Sequence, residues 1–244
     1  DRYGRAAHWL ALAVALIWVV HPLQTQSVTY IIQRAESLMG LCYLLTLYSF
    51  ARGIGSPRGS WWYLGSVIAC ALGMGSKEVM VTAPLMALLY DRVFVADSVR
   101  DIFRERWGLY LGMASTWLFL AAFIATGPRT ATVGFGFEHL TWWNYAATQL
   151  GVIVHYLRLA FWPHPLVFAY DWPVARTAES ILPSAAIIGG LVGATLWAFR
   201  RHAPLGFLGV WFFLILAPSS SLLPIATERA AEHRMYLPLA AVVA

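Results

Sequence analysis

Apolar runs recur along this chain from Ala7 to its last residue, and only short polar segments separate them. A bilayer core of roughly 30 Å requires about 20 mostly apolar residues per helix, which several of these runs supply or approach. The predicted spans are 7–24, 28–51, 61–75, 79–95, 107–126, 181–199 and 205–223. An eighth apolar run begins at Tyr236 and continues to Ala244. This pattern predicts an all-α fold, a polytopic transmembrane helix bundle.

The composition agrees with a membrane protein and argues against a water-soluble globule. Hydrophobic residues make up 59% of the 244 residues and charged residues only 12%, and the mean hydropathy is +0.63. Too little polar surface remains to coat a soluble domain. We expect residues 1–244 to form a single transmembrane domain. Its basic start, DRYGR, and its apolar end, YLPLAAVVA, indicate a domain truncated at both ends.

The distribution of arginines predicts which ends of the helices face the cytoplasm. Ten basic and five acidic residues lie in four segments, and the other seven basic and seven acidic residues cancel, so the whole formal charge of +5 lies on one side. By the positive-inside rule these segments are cytoplasmic. The charge therefore reflects membrane orientation and indicates no nucleic-acid partner. The ten basic residues are Arg2, Arg5, Arg52, Arg58, Arg92, Arg100, Arg104, Arg106, Arg200 and Arg201.

Three apolar stretches lie between the cytoplasmic segments at 92–106 and 200–204, although the chain must cross an even number of times there. The middle stretch, near 143–168, carries polar residues among tryptophans, which is typical of an interfacial or re-entrant segment. We therefore expect residues 127–180 to stay on the outer side. A cysteine placed at Ser184 or Thr141 is expected to react from that side.

The first candidate site follows the first predicted span, in HPLQTQSVTYIIQRAES. His21 and Pro22 are expected to end the helix, and Arg34 and Glu36 precede the next apolar run. An arginine at this position can bind a phosphate with two hydrogen bonds, with Glu36 orienting it or acting on a substrate hydroxyl. The alternative is an interfacial arginine whose side chain reaches the lipid headgroups.

The second candidate site is the short turn GMGSKEVMVTAP, which holds the only lysine of the chain, Lys77. Glu78 is its neighbour, and Ser76 is placed to cap the following helix. A helix N-terminus beside a lysine would bind an anion. The alternative is a loop that needs polar residues only to turn in the headgroup region.

The third candidate site is ERAAEHRMYLP, which precedes the last apolar run. Arg234 and His233 could hold a phosphate or pyrophosphate leaving group, with Tyr236 beside them. A plain solvated loop explains the acidic residues equally well.

Other chemistry has weaker support in the sequence. The seven histidines show no metal-ligand spacing with cysteines or paired acids, so no metal site is predicted. Asp171 follows an aromatic stretch on the predicted outer side and is, with Glu36 and Glu78, a weak candidate for a catalytic carboxylate. Tryptophans and tyrosines in such a stretch are more often membrane anchors than sugar platforms.

Four motifs in this order resemble the membrane domain of the transmembrane and tetratricopeptide-repeat O-mannosyltransferases and their bacterial relatives. They are HPLQTQSVTYIIQRAESLMGLCYLLTLYSF, GMGSKEVMVTAPLMALLYDRVF, LRLAFWPHPLVFAYDW and EHRMYLPL. The resemblance implies a GT-C-like glycosyltransferase that takes a sugar, commonly mannose, from a polyprenyl- or dolichyl-phosphate donor. The acceptor would be a protein hydroxyl on the outer or lumenal face, and no cofactor or metal would be required.

The resemblance also implies roles for single residues. Arg34, Lys77 and Arg234 match the family's basic positions and would bind the phosphate, and Glu36, Glu78 and His233 match its polar positions. The predicted pocket comprises His21, Glu36, Glu78, His233 and Tyr236. Gln26 stands where the family usually has a glutamate. An acidic pair expected in the family's first outer loop would precede Asp1, and tetratricopeptide repeats would follow Ala244, so the fragment alone is expected to be inactive.

The implied location is the bacterial inner membrane or the endoplasmic reticulum membrane, with the active face periplasmic or lumenal. Two alternatives from other classes stay open. One is a transporter or flippase for a lipid-linked or anionic solute, since charges near membrane depth also mark permeation paths. The other is a non-catalytic membrane scaffold.

Overall fold

The computed structural model describes residues 4–126, 142–222 and 228–244, and in these residues it contains helices and no β-strand. The predicted all-α fold is therefore confirmed. The α-helices are α1 (Ala7–Val20), α2 (Thr25–Thr29), α3 (Arg34–Gly53), α4 (Gly59–Met74), α5 (Ala83–Phe94), α6 (Val99–Thr126), α7 (Trp142–Phe161), α8 (Ala178–Arg201), α9 (Ala203–Ala217) and α10 (Leu239–Val243). Shorter helical turns occur at Gly4–Ala6, Pro22–Gln24, Glu78–Thr82, Pro218–Leu222 and Glu232–Met235.

Two helical stretches in the described residues are long and apolar enough to cross a membrane alone, Ala178–Arg201 and Ala203–Ser220. A third candidate is the pair Ala7–Val20 and Pro22–Thr29, which meet at 56°. These correspond to the predicted spans 181–199, 205–223 and 7–24. Helices α3 to α6 cover the other four predicted spans but do not meet the same measure, so for them membrane crossing stays a prediction.

The break after the first span occurs where His21 and Pro22 predict it. Helix α1 ends at Val20, and His21 is extended, because a residue before proline is driven out of the helical region. The second predicted span, 28–51, is not one continuous helix. Tyr30 is extended, a turn follows it, and the long helix begins only at Arg34. The β-branched residues between 28 and 32 lower helix propensity there.

Within residues 4–126, 142–222 and 228–244 the helices pack around three hydrophobic clusters. The first lies between α3, α4, α5 and α9, around Tyr43, Met80 and Trp211. The second joins α7 to α9 and to the segment before α10. The third lies at the predicted cytoplasmic ends of α3, α5 and α6, around Phe50 and Tyr110.

Helix α7 contains the stretch for which an interfacial or re-entrant segment is expected. It is a continuous helix from Trp142 to Phe161, followed by a largely non-helical chain to Thr177. Its first half bonds to the segment after α9, where the Tyr145 hydroxyl donates to the Ser219 carbonyl oxygen at 3.0 Å. Its last turn lies at the end of α1, since the Ala160 carbonyl oxygen is 3.0 Å from His21 Nε2.

Candidate functional site

A cavity of about 360 Å³ lies where the start of α3, the turn after α4, the end of α9 and the segment before α10 meet. Most of the residues selected from the sequence line it, although nearly 200 residues of chain separate the first from the last. Its polar and charged lining residues are Gln33, Glu36, Ser76, Lys77, Glu78, Ser219, Glu228, His233 and Arg234. The structure thus brings Glu36, Lys77, Glu78, His233 and Arg234 into one cavity.

Lys77 and Glu36 form an ion pair across this cavity. The Glu36 carboxylate is nearly buried, with 4% of its side chain exposed, whereas the Lys77 side chain is 19% exposed. Glu36 lies in the first turn of α3, and Lys77 has an extended backbone between α4 and Glu78. A buried ion pair loses much of its solvation, so removing one partner leaves a costly unpaired charge.

The prediction that Ser76 caps the following helix is wrong. Its hydroxyl donates to the Gly73 carbonyl oxygen at 2.7 Å and so closes the preceding helix. The next helical turn, Glu78–Thr82, is only five residues long and begins after Lys77 without a side-chain cap. The anion-attracting group at this turn is therefore the Lys77 ammonium and not a helix N-terminus.

Arg234 is buried at the cavity wall, and its guanidinium bonds to oxygens that carry no full charge. It donates to the Glu228 carbonyl oxygen, and at 3.5 Å to the Tyr145 hydroxyl and the Arg229 carbonyl oxygen. Among the described residues it forms no ion pair with a carboxylate. Its positive charge thus remains available to attract an anion within the cavity.

His233 is a neutral member of the site. Burial, followed by the positive charges of Lys77 and Arg234, lowers its pKa to about 2. Its backbone N–H donates to Gln26 Oε1 at 3.2 Å, and its Nε2 lies 4.0 Å from a carboxylate oxygen of the half-exposed Glu228. At neutral pH the imidazole can therefore donate or accept a hydrogen bond without adding charge.

Two buried residues that were not selected from the sequence hold the site together. Gln26 donates to the Val167 carbonyl oxygen at 2.9 Å while it accepts from the His233 N–H. Glu232 accepts from the Val167 N–H at 2.9 Å and from the Tyr170 hydroxyl at 2.6 Å. The sequence signal for Glu232 was its place within the EHR motif beside two selected residues.

The contacts of Gln26 require an amide at this position. Its amide both donates and accepts here, and an ionised carboxylate could not donate to the Val167 carbonyl oxygen. In this chain the position is a structural link between α2, the segment after α7 and the segment before α10.

The structure places the other selected residues outside the cavity lining. Arg34 is exposed at the first residue of α3. His21 accepts from the Leu23 N–H and caps the turn after α1. Tyr236 packs beside Trp18, with ring centroids 5.1 Å apart, and Asp171 is fully exposed and pairs with Arg229 at 3.2 Å.

A second cavity of about 100 Å³ shares a wall with the first. The shared residues are Ile32, Gln33, Glu228 and His233, and Gln26, Tyr30, Phe168, Ala169, Tyr170, Ala230 and Ala231 complete its lining. Among the described residues, no group of three or more His, Cys, Asp or Glu side chains is placed to hold a metal ion.

Residues 4–125, half of the chain, match the family model described as dolichyl-phosphate-mannose-protein mannosyltransferase. The chain belongs to this family. The match covers Glu36, Lys77 and Glu78 of the cavity, while His233 and Arg234 lie beyond it.

Two curated relatives from Drosophila melanogaster agree with this family. The chain is 30% identical over 177 residues to Protein O-mannosyl-transferase Tmtc2, covering 68% of the chain and 19% of the relative. It is 32% identical over 98 residues to Protein O-mannosyl-transferase Tmtc3, covering 38% of the chain and 10% of the relative. The chain thus spans a fifth or less of these relatives. The resemblance seen in the sequence motifs is confirmed, and no solved structure matches the chain.

Proposed function

We propose that the protein containing this chain transfers mannose from a dolichyl- or polyprenyl-phosphate donor to a hydroxyl of an acceptor protein. The observation that carries this proposal is the cavity in which Lys77 and Arg234 lie beside the carboxylates of Glu36 and Glu78. The family and the names of the two relatives support the same reaction class.

The cations and carboxylates of the cavity match the needs of such a transfer. The acceptor oxygen forms a bond to C1 of the sugar, the bond from C1 to the phosphate oxygen breaks, and the lipid phosphate leaves with that bonding pair. Lys77 and Arg234 would neutralise the charge that develops on the phosphate. A carboxylate would take the hydroxyl proton.

The two candidate bases in the cavity differ in their surroundings. Glu36 is paired with Lys77 and nearly buried, so it becomes available as a base when Lys77 turns to the phosphate. Glu78 is half-buried in the lining, and no ion pair joins it to another described residue. Asp171 lies outside the lining and is not assigned a proton-transfer role.

We place the reaction on the outer or lumenal face of the membrane. The cavity lies at the ends of α3 and α4 opposite the arginine-bearing ends, Arg52 and Arg58. An isoprenoid chain would remain in the bilayer while its phosphate enters the cavity between these helix ends.

The test is Lys77→Met in the full-length protein, assayed with dolichyl-phosphate mannose and a protein acceptor. A hydrogen bond to a charged group contributes about 1.5–3 kcal/mol, so we expect kcat/KM to fall roughly 10- to 150-fold. Arg104→Met is the matched control, because Arg104 is exposed on α6 in the predicted cytoplasmic segment.

A second variant separates this role from loss of folding. Lys77→Met combined with Glu36→Gln removes both charges, so no buried carboxylate is left unpaired. We expect its thermal stability to exceed that of Lys77→Met and its binding of dolichyl phosphate to stay weak. Binding and transfer within twofold of wild type in both variants would contradict the phosphate role.

A further inference from the structure

The second cavity differs from the first in its chemistry. Lys77 and Arg234 line the first cavity and are absent from the lining of the second. Besides Ile32 and His233, the described lining of the second consists of aromatic rings, amides, alanines and one carboxylate, Glu228. His233, on the shared wall, is uncharged at neutral pH because burial lowers its pKa. These surroundings favour a neutral ligand over an anion.

An aromatic wall forms one side of this second cavity. The rings of Tyr30 and Phe168 have centroids 5.0 Å apart and are tilted by 48°. Tyr30 is half-buried in the turn before α3, whereas Phe168 is 76% exposed. A large aromatic side chain exposed beside a polar cavity offers an apolar face to a bound ligand.

Buried groups on either side of Phe168 fix its position. Gln26 and Glu232 bond to the carbonyl oxygen and the N–H of Val167, and Glu232 also accepts from the Tyr170 hydroxyl. Both Gln26 and Glu232 are at most 4% exposed. The backbone that carries the exposed ring is therefore preorganised.

A hexose matches these features. Its C–H groups present an apolar face that packs on an aromatic ring, and its hydroxyl groups bond to amides and carboxylates. Gln33 and Glu228 supply such groups on the wall that the two cavities share. A sugar joined directly to a phosphate in the first cavity would have to lie against this wall.

We infer that the second cavity is the subsite for the mannosyl ring of the lipid-linked donor, with Phe168 and Tyr30 as its aromatic wall. This inference rests on the proposed function, because it requires a donor phosphate in the first cavity. Lys77 and Arg234 would then bind the phosphate of the donor, and the second cavity would bind its mannosyl ring.

The experiment compares the binding of dolichyl-phosphate mannose with that of dolichyl phosphate by the purified full-length protein in detergent. Loss of an aromatic contact corresponds to roughly two- to tenfold in affinity. We expect Phe168→Leu and Tyr30→Leu each to weaken binding of the mannosylated lipid by this factor. Binding of dolichyl phosphate should stay within the measurement error of wild type.

The matched control is Phe161→Leu. Phe161 is also 76% exposed and lies at the end of α7, but it lines neither cavity. It should bind both lipids as wild type does. Lys77→Met should weaken both lipids, which tests the proposed function separately from the sugar subsite.

Three results would overturn the inference. In the first, Phe168→Leu and Tyr30→Leu weaken the binding of both lipids equally. The two rings would then act on phosphate binding or on folding, and not on the sugar. In the second, donor binding is unchanged and the KM for the acceptor protein rises, which assigns the cavity to the acceptor. In the third, neither variant changes binding or KM. If Lys77→Met does not weaken the binding of dolichyl phosphate, the phosphate role of Lys77 is wrong. The role of the aromatic wall is tested separately by Phe168→Leu and Tyr30→Leu.

Discussion

At the scale of single residues, the first cavity combines two cations with different partners. Lys77 is paired with a nearly buried carboxylate, Glu36, whereas Arg234 bonds to the Tyr145 hydroxyl and backbone carbonyl oxygens. An entering phosphate would compete with Glu36 for Lys77 and would meet Arg234 without displacing a carboxylate. The two cations are therefore expected to contribute differently, Arg234 to attraction of the donor and Lys77 to coupling donor binding with release of Glu36.

The contribution of His233 to the stability of the protein depends on pH. Its pKa is lowered to about 2 in the folded protein, compared with roughly 6.5 for an unperturbed histidine. Below pH 6.5 the unfolded chain binds this proton more readily than the folded chain, so this residue lowers stability as the pH falls. Above pH 6.5 its contribution vanishes.

We therefore expect His233→Gln to reduce the acid sensitivity of the protein. Over the range between the two pKa values the difference from wild type should grow by about 1.4 kcal/mol per pH unit. Unfolding in detergent at pH 7.5, 6.5, 5.5 and 4.5 measures it. If the free energy of unfolding changed with pH equally in the variant and the wild type, the pKa of His233 would be the same in the folded and unfolded protein, and the prediction would be wrong.

At the scale of elements, the apolar runs predicted where helices occur better than where they begin. The break at His21 carried a local signal, the following proline, and it is found. The start of α3 at Arg34 carried a weaker signal, because the β-branched residues between 28 and 32 lower helix propensity but are as apolar as the helix that follows. Gln26 of α2, which precedes this turn, bonds to the distant Val167 carbonyl oxygen, a contact that local sequence does not reveal.

The site residues could be predicted from the sequence where their charge was unusual, and not where their role depends on a distant partner. Ionisable side chains in or near membrane segments are energetically costly and are therefore candidates for function. This criterion selects Lys77, Glu78, His233 and Arg234 from the sequence. The structure brings them together with Glu36, but nothing in the sequence indicated that Glu232 and Gln26 bond to the Val167 backbone. Their roles depend on Val167, which lies more than 60 residues away from both.

Another buried ion pair, Asp91 with Arg106, joins α5 to α6 at their predicted cytoplasmic ends. Asp91 of α5 is fully buried and accepts from Arg106 at 3.1 and 3.2 Å and from the Tyr110 hydroxyl at 2.8 Å. Arg106 has a non-helical backbone that kinks α6. The pair therefore attaches the kink of α6 to the end of α5.

Arg106→Met should destabilise the protein by about 3–5 kcal/mol, because it leaves a buried carboxylate without its cation. Asp91→Asn combined with Arg106→Met should recover part of this loss, since the double variant buries no charge. Arg104→Met, on the exposed side of the same helix, should stay within about 0.5 kcal/mol of wild type. Equal stability of the single and double variants, measured by thermal unfolding in detergent, would show that the Asp91 carboxylate without its cation does not cause the loss.

At the scale of the whole molecule, the contacts of α7 bear on the topology. Gln149 and Tyr156, two turns apart, both bond to the segment before α10, through the Arg229 carbonyl oxygen and the Ala231 N–H. The last turn of α7 also lies at the break after α1. A helix that crossed the bilayer would carry its two ends to opposite faces. These contacts join both halves of α7 to segments that the arginine pattern assigns to the outer side, which is the arrangement expected of the predicted interfacial helix.

The orientation of α8 tests this topology, since residues 127–141 with Thr141 lie outside the described part of the chain. Its 24 residues extend about 36 Å, enough to cross the bilayer core. Ser180 is exposed near its first end and His202 is exposed just after its last. Ser184, also selected for labelling, is half-buried within the helix, so Ser180 is the better position.

We expect Ser180→Cys to react with a membrane-impermeant maleimide from the outer or lumenal side and His202→Cys to react only after the membrane is permeabilised. The two native cysteines, Cys42 and Cys70, are buried and should give little background. Arg104→Cys should behave like His202→Cys, because both lie in segments assigned to the cytoplasm by their arginines. If Ser180→Cys and Arg104→Cys both reacted only after permeabilisation, both residues would be cytoplasmic, and α7 would have to cross the bilayer. The chain between α7 and α8, with Phe168, would then lie on the cytoplasmic side, although its bonds to Gln26 and Glu232 attach it to the cavity. Such a result would contradict both the interfacial α7 and the outer location of the site.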